Sequence, residues 1–423
     1  METLYLERLI NDQREELLSK DTGITREVPW QNQLNLDRIV AVTGIRRCGK
    51  STLLRQIAEY YESNFNYINF DDIRLTGFTE SDYDLLLTIF SRSKSSSIYL
   101  FDEIQLAPGW ERYLRRLHDL GCNIVITGSN SSLLSNELGS HLTGRYIRLE
   151  LFPFSFNEFL DYRGFKSVQE STDSVSQLMQ LSKNYIFNGG FPEFLKHNRR
   201  ELLEQTYSDI IYRDIIARHG IKEQLAFREL VQYLMSNPGM KISYGKLSKQ
   251  LGFRSSTSVK EYISYMEDVY LLFQIHKFDW SLKRSLLASR KTYPVDNGMS
   301  RAIAFRLSPN RGHLLETAVF NQLRRFGSPW YYSGQKECDF VIGNGDSGYR
   351  CIQVCWHLDG NNQNRELEGL QEAMNYFGSK CGTIVTYDQE STVVLPEGRT
   401  ARLVPFWRWS QIKKNALHQY VVK

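Results

Sequence analysis

The most informative stretch of the 423-residue chain is Arg38-Ile-Val-Ala-Val-Thr-Gly-Ile-Arg-Arg-Cys-Gly-Lys-Ser-Thr-Leu-Leu54. Its first half is an apolar run of the kind that forms a strand buried inside a parallel sheet. Its second half contains residues 44–51, which match the pattern G-x-x-x-x-G-K-[ST] and lead directly into an apolar helix start. Strand, glycine-bounded loop and helix, in this order, are the context that a phosphate-binding loop requires. A chance glycine turn does not account for that context, so the stretch predicts a nucleotide site.

Each residue type in this loop has a chemical reason. Gly44 and Gly49 let the backbone turn tightly and bring its N–H groups against phosphate oxygens at a helix N-terminus. Lys50 is placed to reach the β- and γ-phosphates, and the Ser51 hydroxyl is a suitable ligand for Mg²⁺. The predicted nucleotide-binding residues form one continuous run, namely Gly44, Ile45, Arg46, Arg47, Cys48, Gly49, Lys50, Ser51 and Thr52.

A second apolar strand, residues 98–101, ends in the acidic pair Asp102 and Glu103. Beside a phosphate loop, Asp102 would hold Mg²⁺ through water, and Glu103 would polarise the attacking water as general base. The alternative is an acidic pair that only solvates a strand end. The phosphate loop upstream favours the catalytic interpretation.

Two further positions complete the predicted catalytic set. Asn130 follows the apolar strand 123–127 and would contact the γ-phosphate or the water, with Ser129 as second choice and a plain polar turn as the alternative. Arg145 precedes the last core strand and suits an arginine finger acting on a phosphate of its own or a neighbouring subunit. A surface arginine explains it equally well. The predicted catalytic residues are Glu103, Lys50, Asn130 and Arg145.

The order of elements predicts the fold class. From residue 36 to residue 164, strand-like runs alternate with helix-like segments, and the polar residues follow the strands. This alternation predicts an α/β protein with a doubly wound parallel sheet and a site at its switch point. The following residues, 165–225, have a helical pattern and would form a small lid over the nucleotide.

Five motifs carry a resemblance to a known family. They are Gly-Ile-Arg-Arg-Cys-Gly-Lys-Ser-Thr, Leu-Phe-Asp-Glu-Ile-Gln, Thr-Gly-Ser-Asn-Ser, Leu-Thr-Gly-Arg-Tyr and Leu-Phe-Pro-Phe-Ser-Phe-Asn-Glu-Phe. Together they resemble the prokaryotic AAA-type P-loop ATPases that carry a C-terminal restriction-endonuclease-like domain of unknown function. The resemblance covers nearly the whole chain. It implies ATP hydrolysis with ATP and Mg²⁺ in the site, and it does not imply a biological process.

The pattern changes between residues 226 and 290, where two helices joined by a tight glycine turn are followed by a β-like segment. This order predicts a winged helix-turn-helix. Polar residues at the start of its second helix would face outward, where bases or phosphates are met; they are Ser255, Ser256, Ser258 and Lys260. Acidic residues in the same helix weaken the case for DNA, and many winged helices dock proteins. Double-stranded DNA and a protein partner therefore both stay open.

The last segment, residues 291–423, carries part of a nuclease pattern. Glu316 and Asp339 stand where a Mg²⁺-dependent nuclease has two of its carboxylates, but Gln353 and Cys355 stand where it needs a third carboxylate and a lysine. Glutamine is a poorer metal ligand, and cysteine is not a fixed cation. The sequence predicts a nuclease-like domain that is inactive, with an ATP-gated endonuclease as the alternative.

Composition sets the remaining expectations. The net charge of +4 permits nucleic-acid contact without arguing for it. The 6 cysteines show no C-x-x-C spacing, and no apolar run reaches membrane-spanning length, so we expect a cytoplasmic protein without a membrane segment. A homo-oligomer follows if Arg145 acts in trans. An ATP-binding interaction switch with little turnover is the alternative to an ATPase.

The predicted domains are 1–35 (N-terminal helix and lead-in), 36–164 (ATPase core), 165–225 (lid), 226–290 (winged helix) and 291–423 (nuclease-like).

Overall fold

The computed structural model describes residues 1–62, 64–92, 98–128, 142, 144–165, 171–304, 310–344 and 348–411. The chain divides into two compact units. The first consists of Met1–Pro153 together with the short segment Asp268–Tyr270. The second consists of Phe154–Glu267 and Leu271–Lys423.

The first unit is built on a parallel sheet. Its strands are β1 (Ile39–Thr43), β2 (Phe65–Asn69), β3 (Ile98–Asp102), β4 (Ile124–Gly128) and β5 (Tyr146–Glu150). Its α-helices are α1 (Thr3–Ser19), α2 (Trp30–Leu34), α3 (Lys50–Tyr60), α4 (Asp82–Arg92) and α5 (Trp110–Asp119). Short 3₁₀ turns lie at Ile73–Leu75 and Ile104–Leu106.

Among the described residues of this unit, the five strands pair in the order β2-β3-β4-β1-β5, and every pairing is parallel. All residues of β1 and β4 are buried, which fits their continuous apolar sequence. The predicted α/β fold with a parallel sheet is confirmed for this unit. Because β1 lies between β4 and β5, the loop that follows β1 leaves the sheet at its interior, beside the ends of its neighbours.

The N-terminal helix α1 is part of the core of the first unit. Its residues Leu6, Leu9 and Ile10 are buried and belong to the same apolar cluster as Ile39 and Ile68 of the sheet. The amphipathic pattern of the first residues therefore buries one helix face against the sheet.

The second unit begins with helices. They are α6 (Phe156–Tyr162), α7 (Thr172–Asn188), α8 (Pro192–His197), α9 (Arg200–Asp209), a π-helical turn (Ile210–Ala217) and α10 (Gln224–Ser236). The next elements are β6 (Lys241–Ile242), α11 (Tyr244–Gln250), α12 (Ser256–Asp268), β7 (Leu272–Ile275), α13 (Leu282–Leu287) and β8 (Arg290–Pro294). In the described part of the chain, β6, β8 and β7 form a three-stranded antiparallel sheet in that order.

The remaining elements of the second unit form a larger mixed sheet with helices. The helices are α14 (Asn297–Ile303), α15 (Arg311–Leu323), α16 (Gln363–Phe377) and α17 (Phe406–Trp409), with a 3₁₀ turn at Pro396–Gly398. The strands are β9 (Trp330–Ser333), β10 (Glu337–Asn344), β11 (Gly348–Val354), β12 (Cys381–Thr386), β13 (Ser391–Val394) and β14 (Thr400–Pro405). The six described strands pair in the order β13-β14-β12-β11-β10-β9.

The domain bounds inferred from the sequence stay predictions. The bound between residues 290 and 291 falls inside β8, the central strand of the three-stranded sheet. None of the helices among the described residues has the length and apolar character needed to cross a membrane.

Candidate functional site

The loop after β1 approaches the chain after β5 closely at Gly44. A Cβ atom at this position would lie 2.0 Å from the carbonyl oxygen of Leu151 and 3.2 Å from Sγ of Cys48. The same two segments are joined by the N–H of Leu151, which donates to the carbonyl of Thr43 at 2.7 Å. Only glycine fits here, so the first glycine of the motif is required by a backbone contact as well as by the turn.

The second glycine of the motif starts helix α3. Gly49 has φ +102°, a conformation that favours glycine, and the helix begins at Lys50 without a side-chain cap from Gly49. The first N–H groups of a helix have no intrahelical partner and carry partial positive charge, which suits phosphate. Lys50 is buried, and its Nζ donates to the carbonyls of Gly44 at 3.0 Å and Ile45 at 3.2 Å. Its ammonium therefore lies over the loop.

The other predicted loop residues differ in exposure. Ile45 and Cys48 are fully buried, whereas Arg46 is half-buried and Arg47 is exposed with φ +63°. Ser51 is exposed at the helix start, where its hydroxyl is open to a ligand. Thr52, the last of the predicted residues, is half-buried.

A buried arginine braces the loop from outside the motif. The Arg26 guanidinium donates to the carbonyl of Cys48 at 2.8 Å and to the carbonyl of Phe152 at 2.6 Å. One side chain therefore ties the phosphate loop to the chain after β5. The motif carries no signal for this residue, since Arg26 stands 22 positions before Cys48 in a segment without its own pattern.

A second contact outside the motif lies at the end of β1. The Thr43 hydroxyl and the Tyr270 hydroxyl are 2.7 Å apart. Tyr270 is buried, has φ +61° and belongs to the first unit, although it is 227 residues distant from Thr43 in sequence. A tyrosine in the left-handed region is uncommon, and the surrounding contacts must hold it there.

The acidic pair lies at the end of β3 and is held by a residue that sequence reasoning missed. Thr127 of β4 donates its hydroxyl hydrogen to Oδ1 of Asp102, and its oxygen accepts the backbone N–H of Glu103 at 3.0 Å. The Tyr67 hydroxyl lies 3.4 Å from Oδ2 of Asp102. Asp102 is buried, and Glu103 has φ +49°. This left-handed turn directs the Glu103 side chain away from the strand.

The Glu103 carboxylate is in an unusual electrostatic environment. Burial raises its pKa above the ordinary value, whereas the positive charges of Lys50 and Arg46 act in the opposite direction. Gln105 donates from Nε2 to Oε2 of Glu103 and also favours the ionised form. Because β1 and β3 run parallel through β4, the acidic pair after β3 and the phosphate loop after β1 lie at the same edge of the sheet.

Of the two remaining predicted catalytic residues, the structure describes only Arg145. Asn130, like the second choice Ser129, lies outside the described residues. Arg145 lies at the opposite end of the sheet, because its carbonyl accepts the N–H of Ile39, the first residue of β1, at 2.9 Å. The phosphate loop begins at the other end of β1, about 13 Å away along the strand. Arg145 also lies 3.6 Å from Asp119, so it does not act on the phosphate loop of its own chain in this arrangement.

The second unit brings two of the predicted carboxylates together. Glu316 of α15 and Asp339 of β10 both contact the ammonium of Lys291, a residue that the sequence reasoning did not single out. Gln353 accepts the N–H of Asp339 at 3.2 Å through its side-chain oxygen. Cys355 is buried just beyond the end of β11.

Comparison with known proteins agrees with the site in the first unit. The family described as AAA domain matches residues 36–160, and a domain of unknown function (DUF8612) matches residues 179–310. The uncharacterized protein MJ1544 of Methanocaldococcus jannaschii is 32% identical over 416 residues, which cover 93% of this chain and 92% of that protein. This chain belongs to the family of that protein.

Other similarities are more distant. An uncharacterized protein of Haemophilus influenzae is 30% identical over 348 residues, covering 77% of this chain and 84% of that protein. Among solved structures, the Thermotoga maritima RuvB Holliday junction branch migration motor is 18% identical with a TM-score of 0.29, covering 56% of this chain and 81% of that one. That structural likeness is too low to support an inference about fold or function.

The match of residues 36–160 to the AAA domain confirms the AAA-type ATPase domain predicted from the sequence. An AAA domain implies ATP binding, commonly with Mg²⁺. The relatives are uncharacterized proteins and give no task. The nuclease-like character of the C-terminal region is not shown by these comparisons and stays a prediction.

The contact at Gly44 gives a test of the loop. In Gly44→Ala, the added Cβ would collide with the Leu151 carbonyl, so we expect the loop to shift and ATP affinity to fall at least tenfold. Calorimetric titration with a slowly hydrolysed ATP analogue measures the affinity. Gly245→Ala is the matched control, since a Cβ there meets nothing within 4 Å. Equal affinities in the two variants would contradict the steric requirement at Gly44.

Proposed function

We propose that this protein is a Mg²⁺-dependent ATPase in which Glu103 is the general base. The observation that carries the proposal is the pair Asp102 and Glu103 at the end of β3, joined by Thr127 and influenced electrostatically by Lys50. A phosphate loop and two differently placed carboxylates are the parts that phosphoryl transfer to water requires.

The residues fit ATP and Mg²⁺. Gly44 lets the loop pack closely against the Leu151 carbonyl, and the N-terminus of α3 supplies N–H groups for phosphate oxygens. Ser51 and Asp102 offer a hydroxyl and a carboxylate, the hard oxygen ligands that Mg²⁺ prefers. When bound there, Mg²⁺ would neutralise charge on the β- and γ-phosphates. Lys50 would add a fixed positive charge on the same phosphates.

Glu103 is suited to take a proton from water. Its raised pKa makes it a stronger base than an ordinary carboxylate, provided that it is ionised. Asp102 is committed to Thr127 and Tyr67, so its position is fixed for metal binding through water. The two neighbouring carboxylates therefore take different roles because their environments differ. Asn130 as a contact to the γ-phosphate and Arg145 as a finger for a neighbouring subunit complete the proposal.

We propose a winged helix as the element through which the ATPase acts on its target. The order α10-β6-α11-α12-β7-α13-β8, with an antiparallel sheet of these three strands, supports the prediction made from the sequence. The start of α12 is open to solvent: Ser255, Ser256 and Lys260 are exposed, and Ser258 is half-buried. These residues are available to a DNA or a protein target.

We propose further that the C-terminal region has a nuclease-like fold without nuclease activity. Gln353 and Cys355 occupy the positions of a carboxylate and a lysine, and burial raises the pKa of Cys355 to about 12. The Cys355 thiol therefore stays neutral and supplies no fixed charge at physiological pH. The Gln353 side chain is held by Asp339 and by Glu366, to which its Nε2 donates at 2.5 Å.

Replacing the general base tests the ATPase. We expect Glu103→Gln to lower ATP turnover by about 10² or more while ATP binding persists. The pKa of Glu103 is raised in the folded protein, so the protonated carboxyl is favoured by folding. This contribution to the free energy of unfolding is present below the unfolded pKa and is lost as the pH rises through the folded pKa. Glu103→Gln therefore should not lower the melting temperature at pH 7.5. Phosphate release and thermal melting measure the two effects. Glu59→Gln on the exposed face of α3 is the control, and full turnover in Glu103→Gln would refute the role.

The bond from Gln105 predicts a change in the pH profile. In Gln105→Leu, the ionised form of Glu103 loses a hydrogen bond, so its pKa should rise further. We expect the acid limb of kcat/KM for ATP to move to higher pH, with the plateau less affected. Leu106→Ala, which changes an exposed side chain in the same turn, should leave the limb in place. A uniform loss of activity at every pH would show that Gln105 only supports the local fold.

The target of the ATPase is decided by adding DNA to the turnover assay. If the winged helix contacts DNA, duplex DNA raises the turnover of the wild type, and Lys260→Ala weakens binding with a shallower salt dependence. If the target is a protein, duplex DNA leaves turnover unchanged. The Glu103→Gln variant serves as background in both cases.

A further inference from the structure

Three carboxylates of the second unit converge on one buried ammonium group. The ammonium belongs to Lys291, whose side chain is only 3% exposed. The oxygens around its Nζ belong to Glu337 at 2.7 Å, Glu316 at 3.0 Å and Asp339 at 3.1 Å. A lysine ammonium has three N–H donors, so each donor can meet one carboxylate oxygen.

These four residues come from three elements. Lys291 belongs to β8, the central strand of the three-stranded sheet. Glu316 belongs to α15, whereas Glu337 and Asp339 are on β10 of the six-stranded sheet. The ammonium therefore ties two sheets and a helix of the second unit together.

Other donors hold the carboxylates in place. The Tyr293 hydroxyl donates to Oε1 of Glu316 at 2.7 Å, and the Val354 N–H donates to Oδ2 of Asp339 at 3.0 Å. Glu337 also pairs with Lys241, which donates to Oγ of Ser333 at 3.0 Å. The oxygens around Lys291 are thus positioned by a built network, not by the ammonium alone.

We propose that Lys291 is a permanent internal cation that takes the place of a divalent metal among Glu316, Glu337 and Asp339. The carboxylate cluster is complete without a metal, and this unit performs no metal-assisted phosphodiester cleavage. Glu316, Glu337 and Asp339 also line a polar cavity with a volume of about 850 Å³.

The charge of the Lys291 ammonium and its distances to the carboxylate oxygens both disfavour a metal ion in the cluster. The nitrogen–oxygen distances are those of charged hydrogen bonds and exceed the 2.0–2.6 Å of Mg²⁺ or Ca²⁺ to oxygen. A dication entering the cluster would meet an ammonium that the β8 backbone prevents from leaving. The buried Lys291 ammonium lies within 3.1 Å of an oxygen of each of the three carboxylates, so its positive charge is compensated inside the cluster. No group of three or more acidic, histidine or cysteine residues in the described part of the chain is arranged to hold a metal.

Removing the ammonium should convert the cluster into a metal site. Lys291→Met keeps an unbranched apolar stem but removes the ammonium, which leaves three buried carboxylates without their cation, and a divalent ion then compensates them. We expect nucleotide-free Lys291→Met to bind a single Mn²⁺, detected by electron paramagnetic resonance, and to melt at a higher temperature with Mn²⁺. The wild type should show neither effect. Adding Asp339→Asn to Lys291→Met should abolish both.

Lys336→Met is the matched control, since Lys336 lines the same cavity but pairs with Glu368 at its exposed rim. It should gain no Mn²⁺. Mn²⁺ binding by the wild type that disappears in Asp339→Asn would overturn the proposal, and so would a folded Lys291→Met that binds none. The full chain is used without ATP, so the outcome is independent of ATP hydrolysis at Glu103.

A second measurement applies if Lys291→Met does not fold with or without Mn²⁺. The melting temperatures of the wild type and of Asp339→Asn are then compared across a Mn²⁺ titration. An internal cation predicts the same response to Mn²⁺ in both proteins. A rise in the wild type that Asp339→Asn lacks would show that metal binds there beside Lys291 and would overturn the proposal.

Discussion

The close approach of Gly44 to the Leu151 carbonyl fixes the phosphate loop on the sheet. Because the sheet is parallel, the carboxyl ends of β1, β3 and β4 lie at the same edge, and the loops that follow these strands lie at that edge too. The loop can take part in that site only if it leaves β1 at a defined angle. Three contacts set this angle: the backbone contact with Leu151, the hydrogen bonds of the Arg26 guanidinium and the hydrogen bond between Thr43 and Tyr270. A phosphate bound as proposed would need little ordering of the loop, which would lower the entropic cost of binding.

Thr127 shows how the same edge separates the roles of two adjacent carboxylates. Its hydroxyl accepts from the Glu103 backbone and donates to the Asp102 side chain, so one small residue positions both. Asp102 is left buried and hydrogen-bonded, and Glu103 turns out of the strand into a place where burial raises its pKa. The opposing charges of Lys50 and Arg46 limit that rise, so the two adjacent carboxylates differ in their electrostatic environment.

The features that could be predicted from the sequence are those written in consecutive residues. The loop, the apolar strands and the acidic pair are local patterns, and the parallel sheet follows from their alternation. Arg26, Tyr270 and Lys291 could not be found this way, because each acts on residues 22 or more positions distant, and a lone arginine, tyrosine or lysine has no signature. The sequence places Arg145 beside a strand but does not tell which end of the sheet it occupies. The structure places Arg145 next to Ile39, at the end of β1 away from the phosphate loop.

The two units manage clustered negative charge in different ways. In the ATPase site proposed for the first, the carboxylate of Asp102 and the hydroxyl of Ser51 would hold an exchangeable cation together with ATP. In the second, the Lys291 ammonium is part of the chain and cannot be exchanged. An exchangeable ion makes the state of its site depend on the concentrations of the ion and ATP. A tethered ammonium makes the arrangement of β8, α15 and β10 independent of any dissolved ion. Under the two proposals, the same chemistry of carboxylate and cation would serve turnover in one unit and a fixed architecture in the other.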